Sequence, residues 1–161
     1  LWLIATVLIV FGVVLGVADK FGSSQKTLAT LTNKHGLCYG LAQAMALIPG
    51  VSRSGATIAM GRALGYSREA ALRYSFLLAI PAVFGSGFYQ LSQGLTEDVS
   101  TSVFSLSETV AATAIAFVVG YLVIAWLIKF VMTKSFMPFI VYRIALGSTL
   151  LVLLATGVIN S

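Results

Sequence analysis

The residues that could do chemistry in this chain are concentrated in one stretch, Pro49-Gly50-Val51-Ser52-Arg53-Ser54-Gly55-Ala56-Thr57. It sets one guanidinium, three hydroxyls and two glycines behind a proline, between apolar segments. That set of groups suits an anion. The planar fork of Arg53 matches two oxygens of a phosphate. Gly50 and Gly55 let the backbone approach a ligand and turn its N–H groups inward. A helix starting at Ser54 or Gly55 would aim its free N–H groups and positive dipole end at the same point. Ser54 is the expected N-cap, with Thr57 one turn on and on the same side. The expected phosphate cradle is Gly50, Ser52, Arg53, Ser54, Gly55 and Thr57. Taken singly, Ser54 and Thr57 could be ordinary caps or interhelical hydrogen bonders, and Arg53 a structural arginine tied to backbone carbonyls. Their combination at one break favours a ligand.

The other titratable groups lie elsewhere. His35, the only histidine, stands at the far end of the preceding apolar arm, about 20 Å from the cradle at 1.5 Å per helical residue, and is read as a loop residue. Asp19, Glu97, Asp98 and Glu108 fall in loops or at helix ends, and Glu69 lies beyond the second arm. No acid is placed to hold a metal at the cradle, so no metal site is expected within this chain. Its single cysteine, Cys38, excludes an intrachain disulfide and reads as a packing residue.

The elements that position the cradle follow from composition. The 161 residues are 58% hydrophobic and only 9% charged. A soluble domain carries about 25% charged residues, so this is an integral membrane protein of the all-α polytopic class. The net charge of +5 reads as a topology signal, not as an affinity for nucleic acid. Leu1 to Ala18 is continuously apolar, with Gly12 and Gly16 spaced for close helix packing. Residues 36–65 form the central unit. Its arms, Leu37 to Ile48 and Ala56 to Leu64, are each too short to span a hydrocarbon core of roughly 30 Å. Short apolar arms broken by Pro and Gly mark a re-entrant hairpin, and Pro49 ends the first arm. Gly36 and Gly40 mirror Gly61 and Gly65 about the Gly50–Val51 junction, which would bring the glycine pairs together.

Further crossings are expected at Tyr74 to Leu91, kinked at Pro81, at Thr109 to Ile128 and at Phe139 to Ile159. Lys20, Lys26 and Lys34 form one basic cluster; Arg62, Arg68 and Arg73 a second; Lys129, Lys134 and Arg143 a third. The loop from Ser92 to Glu108 is acidic. These signals agree on one orientation, with the basic loops cytoplasmic and the hairpin entering and leaving on that side. The expected architecture is about four transmembrane helices plus one re-entrant hairpin, in a single membrane domain.

The nonapeptide has the form P-G-x-S-R-S-x-x-T and resembles the second signature motif of the bacterial undecaprenyl-pyrophosphate phosphatases. Ser75-Phe76-Leu77-Leu78-Ala79-Ile80-Pro81 and Tyr142-Arg143 are similar to that family in order and spacing. The resemblance covers essentially the whole chain, but only about the C-terminal three-fifths of a usual member. It implies the second half of an inverted-repeat fold and a bacterial inner-membrane hydrolase. Such an enzyme converts undecaprenyl pyrophosphate to undecaprenyl phosphate, recycling the lipid carrier of peptidoglycan synthesis, an activity tied to antibiotic resistance. It further implies a divalent cation (Mg²⁺ or Ca²⁺) and an active site facing the periplasm. Carried over by position, Arg53 would bind the pyrophosphate. Ser52, Ser54 and Thr57 would be phosphate ligands, with Ser52 a candidate nucleophile. The family's first motif, a glutamate-rich segment followed by serines and a histidine, is absent; the matching positions here hold Gln43 and Ala46. The chain then reads either as a fragment, the favoured reading, or as a degenerate paralogue; as a fragment, its metal ligands and acid/base group are expected from an N-terminal part before Leu1 or a companion chain, and this stretch by itself need not be active. A homodimer is a candidate assembly. The rival function is a transporter or flippase that binds a phosphorylated lipid at a re-entrant loop; a purely structural membrane subunit is the third.

Overall fold

A computed structural model describes residues 1–96 and 105–159 of the chain. Six helices carry the fold: α1 (Trp2–Phe21), α2 (Asn33–Ala44), α3 (Arg53–Ala63), α4 (Arg68–Thr96), α5 (Leu106–Thr133) and α6 (Met137–Ala155). Four of them, α1, α4, α5 and α6, are long and apolar enough to cross a membrane. The four expected crossings match these helices in number and order. Helices α4 and α5 run past the expected ends because polar residues cap them from outside the apolar runs, whereas α6 stops at Ala155, short of the expected Ile159. Ser67 Oγ accepts from the Ala70 amide at the start of α4. Ser105 and Glu108 close a reciprocal capping box on α5. The expected external acids Glu97 and Asp98 lie outside the described residues.

Helices α1 and α6 pack side by side through their glycines. A Cβ on Gly12 would meet the Ile144 side chain at 3.1 Å, and one on Gly147 would meet the Ala5 carbonyl at 2.8 Å. The Gly12 and Gly16 spacing thus does what small residues do at membrane interfaces, letting two backbones approach closely.

The short helices α2 and α3 form the expected hairpin, joined by a turn that includes a 3₁₀ segment at Met45–Leu47. The mirror pairing of glycines is not how they meet. Gly40 faces open space, whereas Gly61 leaves room for the Tyr39 ring, which would overlap a Cβ there. Tyr39 is fully buried and packs edge-on against Tyr66 and Tyr74. A large ring filling a glycine gap, not glycine on glycine, seats α2 on α3. His35 is also not a loop residue. It lies in the first turn of α2, capped by Thr32, with Nδ1 2.7 Å from the Tyr66 hydroxyl.

The base of the hairpin corrects another expectation. Asp19, taken only as the end of α1, is 6% exposed and accepts two hydrogen bonds from Arg68, at 2.6 and 3.1 Å. Arg62 Nε lies 3.2 Å from the same carboxylate. Arg62 is itself 2% exposed and donates to the carbonyls of Asp19, Gly22, Ser23 and Tyr66 and to Ser24 Oγ. Lys26 Nζ donates to the Leu64 carbonyl at the end of α3. Arg62, Arg68 and Lys26 are therefore not free topology markers. They satisfy orphan carbonyls and a buried acid where α1, the hairpin and α4 converge. The Phe136 amide reaches the Asp19 carboxylate too, which draws the α5–α6 connection to the same end.

Candidate anion site at the hairpin turn

The turn between α2 and α3 is held in an unusual shape. Gly50 has φ +95°, and a Cβ there would fall 2.9 Å from the Ile4 carbonyl of α1. Both facts require glycine. Val51 is fully buried. Ser52 has φ +61° and ψ 112°, the only positive φ outside glycine among the described residues. A non-glycine residue held this way stores about 1–3 kcal/mol of strain, and such strain gathers at functional sites. The reversal at Ser52 completes the turn early, so α3 opens at Arg53. Ser52, not Ser54, is the N-cap: its Oγ accepts from the Gly55 amide at 3.3 Å. The amides of Arg53 and Ser54 have no helical acceptor ahead of them and point out of the same helix end.

Arg143 completes this turn. It was grouped with the third basic cluster, but it lies inside α6 and reaches the hairpin, donating through Nη2 to the carbonyls of Gly50 at 2.8 Å and Val51 at 3.2 Å. Its Nε is buried without a hydrogen-bond partner among the described residues, and its Nη1 would lie 3.5 Å from a Cβ on Gly55. No carboxylate pairs with it among the described residues. The available signal in the sequence was an arginine interrupting an apolar run, since an ionisable group at membrane depth is costly without a partner.

Ser52, Ser54, Gly55 and Arg143 line one cavity of about 240 Å³, walled by apolar side chains including Leu15, Ile58, Phe76 and Phe136. The other expected cradle residues fall outside it. Gly50 is turned against α1, and its carbonyl serves Arg143. Thr57 is fully buried; its hydroxyl contacts Ser75 Oγ at 2.6 Å and donates back toward the Arg53 and Ser54 carbonyls. It ties α3 to α4 and has no free face for a ligand. Arg53 is half-buried and lines a separate groove between α4 and α5. Its side chain makes no hydrogen bond or ion pair with a described residue. Phe76 of α4 lines both chambers, and the side chains of Arg53 and Ser54 leave the α3 terminus toward different ones. The result is two guanidiniums with no counter-ion among the described residues, Arg53 in the turn and Arg143 reaching it from α6, beside two hydroxyls and a helix N-terminus, an arrangement of net positive potential suited to a polyanion.

The described residues that line the cavity include no histidine or carboxylate. Asp19 is bound by arginines at the hairpin base, and Glu69 pairs with Arg73 at 2.8 Å. No group of three potential metal ligands occurs among the described residues. These residues do not fit a divalent cation.

The family model described as bacitracin resistance protein BacA matches residues 1–149. The chain is 59% identical over its full length to an undecaprenyl-diphosphatase of Pseudarthrobacter chlorophenolicus, covering 58% of that protein. It is 57% identical to one of Micrococcus luteus, again over 100% of this chain and 58% of the relative. It is 56% identical over its full length to undecaprenyl-diphosphatase 2 of Agrobacterium fabrum, covering 57% of it. The chain thus spans under three-fifths of the length of these relatives.

Proposed function

Since the chain belongs to the bacitracin resistance protein BacA family, we propose that it supplies the phosphate-binding part of an undecaprenyl-diphosphatase. The reaction is hydrolysis of undecaprenyl pyrophosphate to undecaprenyl phosphate and inorganic phosphate in the bacterial inner membrane. The single observation that supports it most is the turn itself: unpaired arginines on two sides of a strained, serine-bearing helix N-terminus.

In this reading the terminal phosphate lies in the cavity against Ser52, Ser54, Arg143 and the free amides of α3. Arg53 takes the second phosphate at the mouth of the neighbouring groove. Water attacks the terminal phosphorus as the bridging P–O bond breaks, losing its proton to a proton acceptor, so that the lipid monophosphate and inorganic phosphate leave; alternatively Ser52 Oγ, losing its proton, attacks first, the lipid monophosphate leaves, and water then cleaves the resulting phosphoserine to regenerate Ser52 and release inorganic phosphate. Negative charge grows on the bridging oxygen, and fixed guanidiniums and amides stabilise it without reorganising. Arg143 acts twice, holding the Gly50 and Val51 carbonyls away from the anion and presenting its remaining N–H groups. A divalent cation (Mg²⁺ or Ca²⁺) and a proton acceptor belong to the proposal, but their ligands would come from the part of the longer relatives that this chain does not span or from a companion chain. No step here runs through the cation. A homodimer and a site facing the periplasm are likewise proposals.

The test is phosphate release by the full-length protein from a polyprenyl diphosphate. Arg143→Ala and Arg53→Ala are each expected to lower kcat/KM by about 10²–10³-fold, the scale for removing one preorganised donor. Arg53→Lys should remain poor, because a point charge cannot copy the fork. Unimpaired release by folded Arg143→Ala would overturn the role of the cavity. Tight lipid binding with no release by the wild-type protein would favour translocation instead.

A further inference from the structure

Ser75 puts a hydroxyl on the buried side of α4, where the neighbouring residues pack as apolar core. It is 3% exposed, and its Oγ meets the hydroxyl of fully buried Thr57 at 2.6 Å. Thr57 Oγ1 also lies 2.9 Å from the Arg53 carbonyl and 3.2 Å from that of Ser54. These close oxygen–oxygen contacts share only the two hydroxyl protons. If Thr57 gave its proton to Ser75, both carbonyls would face a lone pair at short range. One assignment leaves no contact without a proton: Ser75 donates to Thr57, and Thr57 divides its own proton between the carbonyls. Both hydroxyls are shut off from solvent, so water cannot take over either role.

Each of those carbonyls shares a planar peptide unit with an amide at the start of α3. The Arg53 carbonyl is conjugated with the Ser54 N–H, which has no helical acceptor ahead of it. The Ser54 carbonyl is conjugated with the Gly55 N–H, which donates to Ser52 Oγ. A carbonyl that accepts a hydrogen bond draws charge from its own N–H and makes that group a stronger donor, by roughly 10–30% per bond in a chain. We infer that Ser75 is a positioning residue for the anion site: through Thr57 it fixes and polarises the Ser54 amide that faces the anion and the Gly55 amide that holds Ser52. Ser75 does not line the cavity and touches no ligand there. The inference deepens the phosphatase reading and rests on it for the identity of the anion.

The experiment uses the full-length protein in nanodiscs. Phosphate release from farnesyl diphosphate and affinity for its non-hydrolysable methylenediphosphonate analogue are measured on each variant, with the ¹⁵N resonance of Ser54. Ser75→Ala and Thr57→Val are each expected to lower kcat/KM about three- to tenfold, because they weaken a donor without removing it. The Ser54 resonance should move upfield in both. The double variant is expected within about twofold of Thr57→Val, because both changes cut one chain. Thr57→Ser should restore most of the rate. A brace that works by shape predicts the reverse, since valine keeps the branched outline of threonine and serine loses it. Serine as poor as valine, multiplying losses in the double variant, or an unmoved Ser54 resonance would each overturn the inference. Should Ser75→Ala fail to fold, the comparison of Thr57→Val with Thr57→Ser decides alone. Wild-type protein that binds the analogue but releases no phosphate, with affinities falling in the same variants, would uphold the relay and sink the hydrolase reading.

Discussion

Ser52 carries opposed demands. Its φ of +61° is strained for any side chain but glycine, yet its hydroxyl caps α3 and lines the cavity. Glycine would relieve the strain and cost only a few tenths of a kcal/mol as a cap. Ser52→Gly is therefore expected to unfold no more easily than the parent, while losing at least about 100-fold in phosphate release, on the scale for one lost active-site donor. Denaturation midpoint and turnover measured on one preparation check this. A variant that is both more stable and fully active would make the hydroxyl a cap and nothing more. Thr57 makes the complementary point. It has the same chemistry as Ser52, but burial and its contact with Ser75 make it a brace between α3 and α4.

At the scale of elements, the hairpin stands on shape. Gly61 yields its space to Tyr39, so the ring keys α2 into α3. Gly61→Ala is expected to lower the yield of folded protein and to cost about 1–3 kcal/mol by overpacking. Tyr39→Leu on top of it should recover part of that loss, and denaturation of the single and double variants measures the coupling. Additive effects would mean that the two residues do not share this space. The turn hangs on Arg143, whose two bonds to the Gly50 and Val51 carbonyls join the hairpin to α6.

The whole molecule is clamped at one end. Asp19 there gathers Arg62, Arg68 and the Phe136 amide, uniting α1, α3, α4 and the start of α6. Removing one partner of a buried ionic cluster leaves uncompensated charge and costs about 3–5 kcal/mol. Asp19→Ala is expected to show a loss on that scale in denaturation, far exceeding that of an exposed control, Lys34→Ala. Equal effects would make the cluster a surface feature. The same clamp sets Lys26, Arg62 and Arg68 at one pole of the helices. In a background with Cys38→Ala, cysteines at Lys34 and Lys134 are expected to react with an impermeant maleimide only from the cytoplasmic side, and one at Ser107 only from the outside. Labelling of all three from one side would break the proposed orientation.

Apolar run length and the break at Pro49 were enough to place four spans and a hairpin, because these are local properties set by helix rise and bilayer thickness, whereas the mirrored glycine spacing misjudged how the arms of the hairpin meet. The nonapeptide was enough to group Ser52, Ser54 and Gly55, since they meet through chain neighbours and one helix terminus. Only the tertiary structure decided what each charge faces. Arg143 lies about ninety residues from Gly50, and no spacing rule links α6 to that turn. Asp19 and Arg62 looked like loop charges because burial is not written in the residue itself; it follows from which helices converge there. For the same reason Arg53 and Ser54, adjacent in the chain, face different chambers: successive helical residues point about 100° apart, and the walls of α4 and α5 turn that angle into two separate sites.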